Sequence, residues 1–517
     1  VQQSGRIMRT ALLILPMLSA PVLAAVTLPS VLSSHMVLQR DMPVPVWGWA
    51  DAGEKMTVTF AGQTKEATAG PEGRWQVKLD AMPANTQPQP LTVKGSNEIK
   101  LEDVLVGEVW IGSGQSNMQW SVDASDNPAA EIAAAAFPNI RLFNVPLTSS
   151  PVKNDNVNAS WTSTTPQSIP KFSAVLFYMG RHLHRELNVP VGLIASSWGG
   201  SRIEPWTPVE GFEQVPSQRD NVRTIRMNTP GYPEYENAMQ GYLNQVQAWA
   251  QTGKELVKAK KPLPPLPDRP GPLAHGHQQL VGTYNAMIHP LVPYAIRGAV
   301  WYQGESNNGE GMLYLDRMKA LIGGWRAVWQ QGEFPFYHVQ LAPYNYSRKN
   351  PDEDRAVTSL AEIWEAQAES VKQIPRTGMA VINDIGNLTD IHPKNKQEVG
   401  RRLALIALAN DYGRKDLVFS GPVYKGHTVQ GGAIRLQFDH TGSGLAARDG
   451  KPLNWFEIAG ADGRFVPAEA AIEGNEIVAK AAAVAAPEAV RFAWSQLAEP
   501  NLINKEGLPA GAFRTRR

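Results

Sequence analysis

Cysteine is missing from all 517 residues. That removes disulfides, thiol nucleophiles and thiolate metal sites from consideration. Charge of one sign is missing as well: 49 Lys and Arg face 48 Asp and Glu, for a net of +1. Such a balance argues against a polyanion as main partner, and no basic stripe restores that option, so no nucleic acid is expected. No run of about eighteen apolar residues occurs, so no membrane-spanning helix is expected. Metal-ligand spacing is also lacking. His182-Leu183-His184 falls on a predicted helix, where residues two apart do not share a face, and His275-Gly276-His277 lies in a loop without carboxylates. Gly112-Ser113-Gly114 lacks the later glycine of a nucleotide-binding turn. Neither a metal nor a cofactor is expected.

What the chain does carry begins with an export signal. Met8-Arg9-Thr10 precedes a short apolar core, Ala11 to Leu18, and the small residues running to Ala24-Ala25. This pattern reads as a secretory signal peptide behind a short upstream extension, together spanning residues 1–25, so a periplasmic or extracellular location is expected. Disulfides are optional in a bacterial periplasm or exterior, which fits their exclusion here.

Residues 26–103 read as a small β domain of alternating runs, such as Lys55 to Phe60 and Trp75 to Leu79, separated by glycine turns. From 104 to 413 strand and helix patterns alternate. Strands are predicted at Val104–Ile111, Val191–Ala195, Ala299–Tyr302, Phe336–Leu341 and Met379–Asn383. Helices are predicted at Ala174–Leu187, Leu313–Gln331, Ala356–Gln373 and Lys396–Asn410. This alternation predicts an α/β fold with a three-layer parallel sheet. Residues 205–280 break the rhythm with a polar helical stretch, Tyr235 to Lys261, and the proline-rich Lys261 to Pro267, so they read as an insertion near the site. Residues 414–517 return to β patterning as a second small domain.

Three apolar runs end in chemistry-bearing loops: Gly112-Ser113-Gly114-Gln115-Ser116-Asn117-Met118, Gln303-Gly304-Glu305-Ser306-Asn307, and Asp390-Ile391-His392-Pro393. In an α/β sheet such loops meet at one end of the strands. A serine there needs a base, a group to orient that base and donors for a developing oxyanion. Ser116 is the candidate nucleophile, and its own amide a candidate donor. Among ten histidines, His392 alone sits in a polar loop after a strand and beside acids. Asp390 is preferred as its orienting acid, with Asp384 and a plain Ser-His dyad left open. Glu305 is read either as a helix cap or as an anchor of loops beneath the site.

These blocks, with Ser196-Ser197-Trp198-Gly199-Gly200 and Lys394-Asn395-Lys396-Gln397-Glu398, resemble the sialate O-acetylesterase-like branch of the SGNH hydrolase superfamily. The resemblance extends to Ser34-His35-Met36-Val37-Leu38-Gln39 and Asn504-Lys505-Glu506-Gly507-Leu508-Pro509, nearly the whole mature chain. It implies an SGNH-type sheet flanked by small β-sandwich domains, and a serine carbohydrate acetylesterase. It also implies an anion hole completed by Gly199 or Gly200 and a side-chain amide, here Gln303 where the superfamily has asparagine, with Asn307 the lesser option. It would put the aspartate three residues ahead of the histidine, at Thr389; this chain has Asp390, two ahead. Trp198, Trp206, Trp301 and Tyr302 are candidates to line a sugar site. Acetylated carbohydrate is therefore the expected substrate, either plant cell-wall xyloglucan or xylan or O-acetylated sialic acid. The alternatives are a non-catalytic carbohydrate-binding protein and a lipase- or thioesterase-like hydrolase.

Overall fold

The computed structural model describes residues 25–271, 276–349 and 356–516. The expected signal segment through residue 24 lies outside the described residues. The central sheet contains, in chain order, β1 (Glu98–Gly114), β2 (Phe137–Asn144), β3 (Trp161–Thr164), β4 (Val191–Ser197), β5 (Gly298–Tyr302), β6 (Phe336–Val339) and β7 (Thr377–Ala380). They lie side by side as β7-β6-β5-β1-β4-β2-β3. Every pair is parallel except β2 with β3 at the edge, so the expected parallel sheet carries one antiparallel strand.

The helices that bear on the sheet, the site and the insertion are α1 (Ser116–Gln119), α2 (Ala174–Leu187), α3 (Pro233–Lys258), α4 (Leu313–Trp329), α5 (Ala356–Gln373) and α6 (Lys396–Asp411). α2 and α6 cover one face of the sheet, α4 and α5 the other. Leu176 of α2 lies against Gly112 and Ile406 of α6 against Gly378 on one side. On the other, Trp325 of α4 meets Phe336 edge-on at 5.8 Å, and Ser370 of α5 bonds His338. Two covered faces explain why Val104 to Ile111, with the exception of Glu108, and all of β4 are apolar or small and buried without alternation. The helix ends are written locally. Ser173 accepts from Leu176 N–H to start α2, Asn188 at φ 52° closes it, and Asn395 accepts from Glu398 N–H to start α6.

The division expected at residue 103 falls inside β1. Its first half pairs with strand Asn85–Lys94 and its middle with Val37–Gln39, while its second half forms the centre of the large sheet. A buried carboxylate fastens the join: Glu108 takes hydrogen bonds from Gln39, Arg40 and Arg297. Within the 205–280 stretch Trp206 and Phe212 are buried, whereas α3 is outlying and buries only Gly253, and Trp249 Nε1 holds the proline-rich return at Pro264 O (2.9 Å). Past residue 414 the chain forms small antiparallel sheets. These brace the end of β7 through Asn383 Nδ2 to Ala510 O (2.8 Å) and Arg448 to Asp384 O (3.2 Å). Strand order reverses direction at β1, with β4 on one side and β5 on the other. That switch point opens a crevice at the carboxyl end of β1.

Candidate active site

β1 ends in a turn that only glycine can make. Gly114 has φ +134°, and a Cβ there would stand 2.3 Å from Tyr302 O. The neighbouring strands close on it: Gln115 N–H donates to Tyr302 O (3.1 Å) and Trp198 N–H to Gly114 O (3.0 Å). α1 begins at once, so Ser116 stands at its first position, where helix amides have no preceding carbonyl partner.

His392 meets this serine from the far loop. Its Nε2 lies 2.9 Å from Ser116 Oγ. The ring stacks on Trp120, with centroids 4.5 Å apart and planes inclined by 15°. Burial lowers the His392 pKa below its ordinary value, the positive charge of Lys396 adds to this, and Asp390 opposes it. A neutral imidazole is the form a general base requires. Asp390 is the nearer acid. Its Oδ1 accepts from the His392 backbone N–H (2.9 Å) and lies 3.7 Å from Nδ1. Asn387 Oδ1 folds this loop by accepting from Thr389 and Asp390 N–H. Asp384 is engaged elsewhere, with both oxygens 2.7 Å from the Arg402 guanidinium.

Beneath the pair, Asn117 joins three loops. Its Nδ2 donates to Glu305 Oε1 (2.6 Å) and Ile391 O (3.0 Å), and its Oδ1 accepts from Lys396 Nζ (2.5 Å). Glu305 thus takes the loop-anchoring role. Lys396 is fully buried, with Nζ over the rings of Trp120 and Tyr302. Burial pulls its pKa down to about 7 and pushes that of Glu305 up. Trp120 did not stand out in the sequence, and Lys396 was noted only as part of the Lys394–Glu398 block, with no role assigned. Lys396 had a readable signal: a cation in the first turn of a helix opposes the helix dipole and needs another reason to be there.

On the opposite side of Ser116, a Cβ added to Gly199 would lie 3.3 Å from Ser116 Cβ, so this backbone runs against the serine. Gly199 N–H donates to Gln119 Oε1 (2.7 Å). Gly200, at φ +75°, has its carbonyl bonded by Gln278 and Ser306. The expectation for Gln303 does not hold. It is fully buried, its amide nitrogen donates to Ser201 O (3.1 Å) and Asn307 Oδ1 (2.8 Å), and Tyr314 OH donates to its oxygen. Asn307 is equally committed, donating to Glu204 and Glu310. Both amides brace the Ser201–Glu204 segment, Gln303 through Ser201 O and Asn307 through Ile203 N–H and Glu204.

The aromatic expectations divide. Trp206, Trp301 and Tyr302 are core residues with at most 1% exposure: the two strand aromatics pack inward because the sheet is covered on both faces, and Trp206, on the turn Glu204–Trp206, meets Trp301 edge-on at 6.3 Å. Trp198 is half-buried beside His277, at a ring distance of 5.7 Å. An open groove of about 420 Å³ borders His392 and is lined by Asp126, Asn387, Asp390 and Lys394 among others. Among the described residues no cluster of three or more His, Asp or Glu has metal-binding geometry, and no helix is long and apolar enough to cross a membrane.

The family model for carbohydrate esterase, sialic acid-specific acetylesterase, matches residues 272–409. Sialate O-acetylesterase of Rattus norvegicus is 33% identical over 432 residues, covering 77% of this chain and 75% of the relative. The Homo sapiens protein of the same name is 32% identical over 430 residues, covering 76% and 72%. The crystal structure of a carbohydrate acetylesterase from Xanthomonas citri aligns with 95% of this chain and 100% of its own, at 35% identity and a TM-score of 0.79. A serine and histidine in contact at the switch point of an α/β sheet, together with these likenesses, place the molecule: the chain belongs to the sialate O-acetylesterase family of carbohydrate esterases.

Proposed function

We propose that this carbohydrate acetylesterase works through an acetyl-serine intermediate on Ser116. Ser116 Oγ attacks the acetyl carbonyl while His392 Nε2 takes the hydroxyl proton. The oxyanion is met by the N–H groups of Ser116 and Gly199. The C–O bond to the sugar breaks, and His392 returns the proton to the departing sugar oxygen. Water, deprotonated by His392, then releases acetate and restores Ser116. The observation that carries this reading is the 2.9 Å contact between Ser116 Oγ and His392 Nε2. Ser116→Ala is expected to lower acetate release by on the order of a million-fold with the fold intact. A folded variant retaining half the activity refutes the assignment.

The preferred substrate is a neutral acetylated sugar of the plant cell wall, such as xyloglucan or xylan, ahead of an O-acetylated sialic acid. The support is electrostatic. Arg202, next to the Gly199-Gly200 turn, is already paired with Glu204 and Glu310. The groove beside His392 carries Asp126 and Asp390 against Lys394. A sugar carboxylate would find no uncommitted arginine among these groups, and arginine is the usual bidentate partner of a carboxylate. Acetate release from acetylated plant oligosaccharides and from O-acetyl sialic acids, measured side by side, tests the preference. Activity on sialic acids alone overturns it, and faster octanoyl than acetyl hydrolysis overturns the acetylesterase mechanism.

A further inference from the structure

We propose that the Gln119 carboxamide oxygen is a resident competitor for the oxyanion position, one that an acyl oxygen must displace before Ser116 can react. This rests on the reading of Ser116 as nucleophile and Gly199 N–H as oxyanion donor.

The geometry is local and specific. Gly199 N–H, the donor beside the nucleophile, is filled by Gln119 Oε1 at 2.7 Å. The orientation of the amide group follows from chemistry, because an N–H donor can only be met by the carbonyl end of the side chain. A Cβ built on Gly199 would lie 3.2 Å from Gln119 Oε1 and 3.3 Å from Ser116 Cβ. The side-chain oxygen and the nucleophilic residue therefore flank the same point. An acyl group on Ser116 Oγ must bring its carbonyl oxygen within hydrogen-bond reach of Gly199 N–H, the position that Oε1 now holds. One N–H cannot serve both oxygens at full strength.

Gln119 has the means to leave. Its backbone is fixed at the end of α1 by Gln119 N–H to Gln115 O (3.0 Å), so only the side chain has to turn. On its other side is a cavity of about 140 Å³, lined by Asn144, Lys171, Ser173 and Ser197 as well as Gln119 itself. Those polar groups offer a displaced carboxamide new partners. Gln119 is thus a specificity-determining residue. In the free enzyme it keeps Gly199 N–H satisfied, and it yields to an ester whose remaining contacts offset the exchange. A small ester with few sugar contacts bears the exchange unaided, so the residue favours glycan-borne acetyl groups over free alkyl acetates.

The test uses the full-length enzyme with p-nitrophenyl acetate and a fluorophosphonate, whose phosphoryl oxygen enters the same position when it labels Ser116. Gln119→Ala is expected to raise kcat/KM on p-nitrophenyl acetate and the labelling rate by about two- to tenfold, the span of one net hydrogen bond, chiefly through KM. The gain is smaller on an acetylated oligosaccharide. Gln119→Glu places a charge-assisted acceptor on the same N–H. It is expected to lower both rates at pH 7 by more than tenfold, and the variant-to-wild-type ratio recovers as pH falls and the carboxyl is protonated. Gln119→Ser replaces the alanine variant if the latter does not fold. A tenfold loss in folded Gln119→Ala overturns the proposal, because Gln119 would then be assisting the transition state. Unchanged rates in Gln119→Ala and a pH-independent ratio in Gln119→Glu overturn it equally. Failure of the underlying reading is separate: fluorophosphonate would then not label Ser116 in the wild-type enzyme at all.

Discussion

Asp390→Asn tests how His392, the proposed general base, is held. The carboxylate lies 3.7 Å from His392 Nδ1, within ion-pair range but beyond a hydrogen bond. Two unit charges at that distance attract by about 1 kcal/mol in water-like surroundings and about 4 kcal/mol at the effective permittivity near a protein surface. The Asp390 side chain is 44% exposed, which screens the pair and favours the lower part of that range, about 1–2 kcal/mol. As transition-state stabilisation of the imidazolium this corresponds to roughly a 5- to 30-fold fall in kcat. KM should hardly change, since Asp390 acts through His392. The acid limb of kcat/KM should also move to lower pH. Asp390 raises the His392 pKa against burial and Lys396, so its loss lets the neutral base persist further into acid. Steady-state rates from pH 4.5 to 8 supply both numbers. A fall of about ten-thousand-fold, the scale of a buried orienting aspartate, would refute the distance-based reasoning by showing that Asp390 closes onto Nδ1. No change in kcat would refute it in the other direction and leave a dyad.

Asp384→Asn breaks the buried pair with Arg402 and is expected to cost about 3 kcal/mol of stability in denaturant unfolding, while kcat per folded molecule stays near wild type. Lys396→Met removes the donor to Asn117 Oδ1 and should cost about 1–3 kcal/mol at pH 7. Between pH 7 and 10 the unfolded lysine holds a proton that the buried one, at about 7, has lost. Wild-type stability contributed by this group therefore rises with pH over that window, and urea titrations should show the slope flattened in Lys396→Met. N-terminal sequencing of the mature protein is expected to begin near Ala25; finding Met8 retained would overturn the reading of an export signal.

How much of this was legible beforehand depended on where the information sits. The bounds of Ala174–Leu187 and Ala356–Gln373 coincide with those read from the residues, because caps and apolar spacing are local signals. The loops that bring Ser116 and His392 into contact were legible because small residues after an apolar run, and a histidine among acids, are also local. β1 read as beginning at Val104 because its pattern changes there. Glu98 to Asp103 alternate, as one face of a strand does, whereas Val104 onward is buried on both sides. Nothing local says that the two halves are one strand. Gln303 was found at a functional loop but given the wrong task, since the acceptors that consume its amide, Ser201 O and Asn307 Oδ1, are known only once the chain is folded. The engagement of Asp384 by Arg402 was hidden for the same reason.

The continuity of β1 bears on how this molecule can be taken apart. Small β domains on carbohydrate-active proteins invite treatment as detachable modules, to be trimmed or exchanged. Here the first domain's own strand continues through Glu108 and ends two residues before Ser116. A cut at residue 103 would expose the pairing edges of Leu105 to Gly107 and leave Glu108 without Gln39 and Arg40. Modular surgery at this boundary therefore reaches the turn that carries Ser116, whereas grafting into the outlying α3 insertion leaves β1 whole.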